Sequence, residues 1–313
     1  MKKLFLIFVI ILIDTQITFS IQWKVFGDLN NIRNHPQAVK ISDYEAMVIG
    51  GLDNNGTGIS SCEIINIKDS TIKNAANLNL GRGWFTTQQD KNGNIYAIGG
   101  LISNWDIAVN SIEKYDLLTK QWTIIGSLLN NRAIFASIFL NDSLILVVGG
   151  ESDGKISINS CEIFNINTGK SRYTSNYPYQ VNYHILGRTS NDEIICVGGR
   201  IGSINSARTN DIYRFDQISE TWVLYGKTNS KFTNSSGLRL NKGNYIFSGG
   251  SISESPLNIN NEIYKDDNNS IKFLSNMNFK RNWHKLAEFN DSTIIIAGGF
   301  DENDNNIHHS IAS

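Results

Sequence analysis

Leu144-Ile145-Leu146-Val147-Val148-Gly149-Gly150 is an apolar run stopped by two glycines, and the chain repeats that construction five more times. Doublets fall at Gly50-Gly51, Gly99-Gly100, Gly198-Gly199, Gly249-Gly250 and Gly298-Gly299, so the steps between second glycines are 49, 50, 49, 51 and 49 residues. The strings ahead of them, such as Met47-Val48-Ile49, Ile195-Cys196-Val197 and Ile295-Ile296-Ala297, are short and rich in branched side chains. A short apolar run that ends on glycine reads as a buried strand closing on a tight turn.

Other features keep the same period. Asn92-Gly93, Asn141-Asp142, Asn191-Asp192 and Asn290-Asp291 stand eight or nine residues before a second glycine. They read as hairpin turns, because asparagine tolerates positive φ. After each doublet come a polar loop and an apolar strand, for example Ile112-Glu113-Lys114-Tyr115. A short turn and a last strand follow, marked in successive units by Trp23, Ile72, Trp122, Tyr173, Trp222 or Ile271. Four strands per unit, six times over, predict one repeat architecture with no linker.

Composition narrows the function. The 313 residues carry a net charge of −1, and removing Lys2, Lys3 and Asp14 with a leader leaves 26 basic against 28 acidic residues. A nucleic-acid partner needs a basic surplus that this chain lacks. Hydrophobic residues at 41% exclude wholesale disorder. Residues 1–20 read as a signal peptide: two lysines, the apolar run 4–13, then Thr18 and Ser20 before the cut. That run is short for a membrane span, so no span is expected. Export predicts a secreted chain, extracellular or periplasmic. Cys62, Cys161 and Cys196 are odd in number and widely spaced, and they read as three buried thiols rather than disulfide or zinc ligands.

The glycine doublet, the tyrosine or phenylalanine after it and the tryptophan further on resemble the kelch repeat, and the resemblance covers residues 21–313. It implies an all-β, six-bladed kelch β-propeller, with the N-terminal strand 22–26 closing the last blade. The domain expectation is therefore a signal peptide over 1–20 and one propeller over 21–313. Physically, an isolated antiparallel sheet exposes two apolar faces, and stacking blades buries them.

Loops after the doublets (52–60, 101–110, 151–159, 200–210, 251–261 and 300–309) share a face with the connections that enter the innermost strands. Long loops on a rigid frame carry function, so this face is the candidate for binding. Arg33, Arg82, Arg132 and Arg281 each lie 18 residues before a second glycine, with Asn182 and Phe232 read at that place in the fourth and fifth repeats. Two readings stand. The guanidinium groups fork onto an anionic ligand at the channel mouth, as in kelch propellers that take acidic peptides or sugars. Or they pair with carboxylates and carbonyls and hold the blades together. His35, His184, Trp84 and Trp283 lie two residues beyond, His284 three. Imidazoles there could line the channel, and tryptophan could stack on a sugar. No HxH or HExxH spacing accompanies the histidines, so no metal is expected. The run 301–306 lacks the glycine and glutamate of a calcium loop. Sequons at Asn55, Asn141, Asn234, Asn268 and Asn290 matter only on an exported, glycosylated chain.

These readings favour a secreted, monomeric binding module that takes a protein or glycan ligand, acidic in one version, without a cofactor. The resemblance also implies an alternative: a carbohydrate-active enzyme such as a sialic-acid (N-acetylneuraminate) mutarotase. A galactose-oxidase-like protein ranks behind it, because the three cysteines fall on core strands.

Overall fold

The computed structural model of the chain describes residues 27–297 apart from 104–105, 204–206, 255–256, 268–269, 278–279 and 291–292. The expected leader, the strand 22–26, the last doublet and the loop 301–306 lie outside the described residues. Two compact units divide after Gly126.

The first unit holds two four-stranded antiparallel sheets. The first sheet runs Gln37–Lys40, Glu45–Ile49, Cys62–Asn66 and Thr71–Ala75, each strand pairing with the next in sequence. The second runs Thr86–Gln89, Ile95–Ile98, Ser111–Asp116 and Gln121–Ser127 in the same order. Met47, Ile49 and Cys62 of the first sheet pack on Ile95, Ala97, Tyr115 and Trp122 of the second. The central strand Ile95–Ile98 is buried at every residue, with Ile95 and Ala97 against the first sheet. Such a strand could not survive in a sheet with one face in water.

The second unit repeats the plan three times. Its sheets run Ala136–Phe139 to Lys170–Thr174, Ile185–Arg188 to Thr221–Lys227, and Ser236–Arg239 to Ile271–Asn276. Leu146, Val148 and Cys161 of the third sheet meet Ile194, Cys196 and Phe215 of the fourth. On its other face the fourth sheet meets Phe247 and Tyr264 of the fifth through Ile195, Val197 and Ile212. Lys285–Asn290 and Thr293–Ala297 form a further two-stranded sheet. Four-stranded blades therefore number five among the described residues, not six, because the strands expected to complete the last one lie beyond them. No described helix is long and apolar enough to cross a membrane.

Three details correct the sequence reading. Tyr173 lies on the last strand of its repeat, Lys170–Thr174, but two residues past the place that Trp222 holds. Ser171 pairs with Phe164 as Trp222 pairs with Phe215, and Tyr173 stands outside at 54% exposure. Asn141 does not adopt positive φ; its Oδ1 accepts the N–H groups of Ser143 and Leu144. After the fifth doublet the described residues run as strand where a loop was expected, Tyr245–Glu254 pairing with Leu257–Asp266.

The doublets owe their glycines to close approach. Gly100 sits at φ 110°, and a Cβ there would lie 2.8 Å from both the Gly83 carbonyl oxygen and the Phe85 Cβ. All three cysteines are buried free thiols.

Candidate functional site

Short lead-in segments precede the first strand of each sheet, and backbone hydrogen bonds fix their register. The second glycine of a doublet donates to the carbonyl of the next repeat's register residue: Gly51 to Arg82 at 2.8 Å, Gly150 to Val181 at 2.7 Å, Gly199 to Phe232 and Gly250 to Arg281 at 2.9 Å. Val181, not Asn182, thus occupies the register place of the fourth repeat, and Asn182 lies one residue beyond it.

The arginines of the first three repeats turn into the sheets. Arg82 Nη1 donates to the carbonyls of Gly99 and Ser111, at 2.9 and 2.8 Å. Its Nη2 donates to Ser111 Oγ at 2.8 Å and Glu113 Oε1 at 2.7 Å, and Nε donates to Leu80 O. Glu113 also accepts the backbone N–H groups of Asn79 and Leu80. Arg33 with Ser61 and Glu63, and Arg132 with Ser160 and Glu162, repeat this arrangement, and all six charged side chains are fully shielded from solvent. Each carboxylate ties the lead-in segment to its own sheet, satisfying N–H groups that burial would otherwise leave without water. Where the arginine is missing, so is the glutamate. Cys196 faces Tyr213 and Phe247 faces Tyr264 where Val48 faces Glu63. The Tyr264 hydroxyl accepts Asn229 N–H at 2.8 Å in the carboxylate's stead. The signal was legible as Ser-x-Glu in 61–63, 111–113 and 160–162. Arg281 is buried too, its Nη1 3.5 Å from Ile296 O, and burial lowers its pKa.

Two residues past the register arginine, the backbone turns left-handed in every repeat. His35, Trp84, Ile134, Tyr183, Asn234 and Trp283 have φ between 51 and 58°. In the first unit His35 stacks on Trp84, with ring centroids 3.7 Å apart. In the second unit this station forms a series: Tyr183 N–H reaches Ile134 O, Asn234 N–H reaches Tyr183 O, and Trp283 N–H reaches Asn234 O. Trp283 is 43% exposed. His184 and His284 belong one residue further on, where Phe85 and Phe135 stand in other repeats. Both are buried, and desolvation pushes each imidazole pKa down to about 3, so both are neutral. Ser248 Oγ lies 2.8 Å from His284 Nε2.

Glu151, Arg200 and Tyr183 are the residues that sequence reasoning missed. The place just after each doublet carries Leu52 and Leu101 in the first unit but Glu151, Arg200 and Ser251 in the second. Arg200 Nη2 meets Glu151 Oε1 at 2.5 Å, and Arg200 Nε donates to Asn182 Oδ1 at 3.0 Å. Asn182 Nδ2 donates to Glu151 Oε1 and to Ser157 Oγ. The Arg200 guanidinium lies over the Tyr183 ring, 4.9 Å from its centre. Burial raises the Glu151 carboxyl pKa, an effect that outweighs the opposing pull of Arg200. The break from leucine to charge at this place was the available signal. Among the described residues, no three His, Cys, Asp or Glu side chains gather as metal ligands would.

Two segments match the Kelch motif, residues 91–129 and 188–227. The chain carries kelch repeats. The matched segments hold the second and fourth sheets, where Tyr115 packs on Trp122 and Phe215 on Trp222 at centroid distances of 5.2 and 5.1 Å. Over 94 residues the chain is 27% identical to an F-box/kelch-repeat protein of Arabidopsis thaliana, covering 30% of this chain and 23% of that protein. It thus spans under a quarter of that kelch relative's length. The solved structure titled "Structure of YjhT" superposes with a TM-score of 0.66 at 15% identity, over 81% of this chain and 87% of the other. That likeness shows the fold, an all-β propeller.

Proposed function

We propose that the chain is a binding module whose second unit presents Tyr183, Asn234 and Trp283 to a protein or glycan ligand. One observation carries this reading. Six residues hold left-handed φ at the same station, and none is glycine. A side chain there costs about 1–2 kcal/mol relative to right-handed backbone, a cost that glycine avoids. Four of the six are ring-bearing, and Trp283 is 43% exposed. Backbone strain of that kind gathers at ligand clamps, and the station is half-buried in five repeats and exposed at Trp283. Aromatic faces suit sugar rings and apolar peptide side chains, and the Asn234 amide both donates and accepts.

An acidic ligand loses support from Arg33, Arg82 and Arg132, whose charges are matched inside the sheets. Export, an extracellular or periplasmic location and a monomeric state belong to the same reading, and the leader sequence supports the first two. Glycan-array and secretome capture with the wild-type chain, Tyr183→Gly and Trp283→Gly would test it. Wild-type capture lost in both variants, with melting temperature kept, is the expected result. Equal capture by all three would sink it.

A second reading, an enzyme acting on an acidic sugar such as N-acetylneuraminate, draws on Glu151. Burial raises the pKa of its carboxyl, the direction a general acid needs, and Arg200 stands beside it. NMR measurement of anomer exchange in that sugar, with and without Glu151→Gln, decides it.

A further inference from the structure

We propose that a shallow groove over the third sheet, lined by none of the left-handed residues, binds a neutral acetamido sugar. The groove encloses about 460 Å³, and Asn130, Ile156, Asn159, Tyr173, Asn176 and Gln180 are among the residues that line it. That volume lies within the range of small-molecule sites. No lining residue is acidic or basic, so the groove offers nothing to balance an ionised ligand.

Its floor is fixed in advance. Asn130 Nδ2 donates to Tyr173 Oη at 3.1 Å, which leaves the phenol proton available to a ligand, and Asn159 Nδ2 donates to Tyr177 O at 3.3 Å. The wall that carries Asn176 and Gln180 is held by Tyr177 N–H to Asn159 O at 2.8 Å and Val181 N–H to Ile158 O at 3.2 Å. Tyr177 and Val181 are buried between those bonds, while Asn176 and Gln180 stand exposed. Neither carboxamide has a partner among the described residues. The two carboxamides stand on a backbone held by those bonds, and each offers a donor and an acceptor to hydroxyl and acetamido groups. Ile156 at 57% and Tyr173 at 54% exposure supply apolar flanks for the C–H face of a pyranose and an acetyl methyl.

A peptide fits less well. Strand addition needs free main-chain groups, but here Ile158 N–H already donates to Gly150 O, and the Ile158 and Asn159 carbonyls already accept.

The test uses the full chain, ¹⁵N-labelled, with N,N′-diacetylchitobiose as probe, cellobiose as the sugar without acetamido groups and 3′-sialyllactose as the anionic control. Diacetylchitobiose should shift the side-chain amide signals of Asn176 and Gln180, with cellobiose and sialyllactose about tenfold weaker or silent. Tyr173→Ala and Gln180→Ala should each weaken binding about tenfold at unchanged melting temperature. Trp283→Gly should leave it intact, which separates this site from the inner station. No shift at millimolar sugar, shifts that persist in the Tyr173→Ala/Gln180→Ala variant, or shifts produced only by a peptide library would each overturn the proposal.

Discussion

Arg82 and Glu113 meet at 2.7 Å with both side chains wholly shut off from water, and Glu113 at the same time accepts two backbone N–H groups from the lead-in segment. The pair therefore acts as a fastening inside the first unit. Removing one partner leaves the other charged, buried and unmatched, which typically costs about 3–5 kcal/mol. Arg82→Met should lower stability in urea unfolding by about that amount. Arg82→Met/Glu113→Leu should recover only part of it, since Asn79 and Leu80 N–H still lose their acceptor. An Arg82→Met variant as stable as wild type would show that the pair does not hold the segment.

Much of the fold was legible because its signals are local. Glycine doublets, the runs before them and the Tyr115–Trp122 and Phe215–Trp222 spacings each describe one strand or one turn. Tyr173 misled because an aromatic two residues from the expected place looked better than Ser171, and only strand pairing decides between them. The site was less legible for a physical reason. Whether Arg33 faces a ligand or Glu63 depends on contacts 30 residues apart. Spacing does not reveal which side of a turn a guanidinium takes. Asn182 was misplaced by counting alone: 18 residues before Gly199 is Val181, and Gly150 N–H bonds the Val181 carbonyl. Arg200 over Tyr183 joins two segments that no period connects.

Trp283 and Gly100 make opposite predictions. Trp283 keeps a side chain at φ 54° and is 43% exposed. Trp283→Gly should leave the melting temperature unchanged or slightly raised, because relief of about 1 kcal/mol of backbone strain offsets the lost contacts. Gly100 stands at φ 110° with a carbonyl oxygen 2.8 Å from where a Cβ would go. Gly100→Ala should destabilise by several kcal/mol, roughly the sum of that strain and the clash. Thermal melts of both variants check this, and a large loss in Trp283→Gly would make that residue structural.

The three thiols should be chemically silent in the native state. Burial pushes Cys62 and Cys161 up to about 11 and raises Cys196 as well, so almost no thiolate exists at neutral pH. Iodoacetamide labelling followed by mass spectrometry should give no adduct on the folded chain and three as urea passes the unfolding midpoint. Prompt labelling of any one cysteine without denaturant would mean that its sheet opens locally.

His184 and His284 give the fold an acid limit. Each imidazole is buried and neutral, with its pKa pushed down to about 3 from an unfolded value of about 6.5. Between those values the unfolded chain binds protons that the folded chain refuses. Stability from this source is thus complete above about pH 6.5 and declines as pH falls toward 3. The chain contains its own control, since Phe85 and Phe135 occupy the equivalent place in other repeats and cannot titrate. His184→Phe/His284→Phe should flatten the fall in unfolding free energy between pH 6.5 and 4 while changing stability at pH 8 much less. The pH 8 change should be small because a ring replaces a ring, although His284→Phe also leaves Ser248 Oγ without its 2.8 Å partner. A double variant with the wild-type slope below pH 6.5 would assign the acid limit to carboxylates instead.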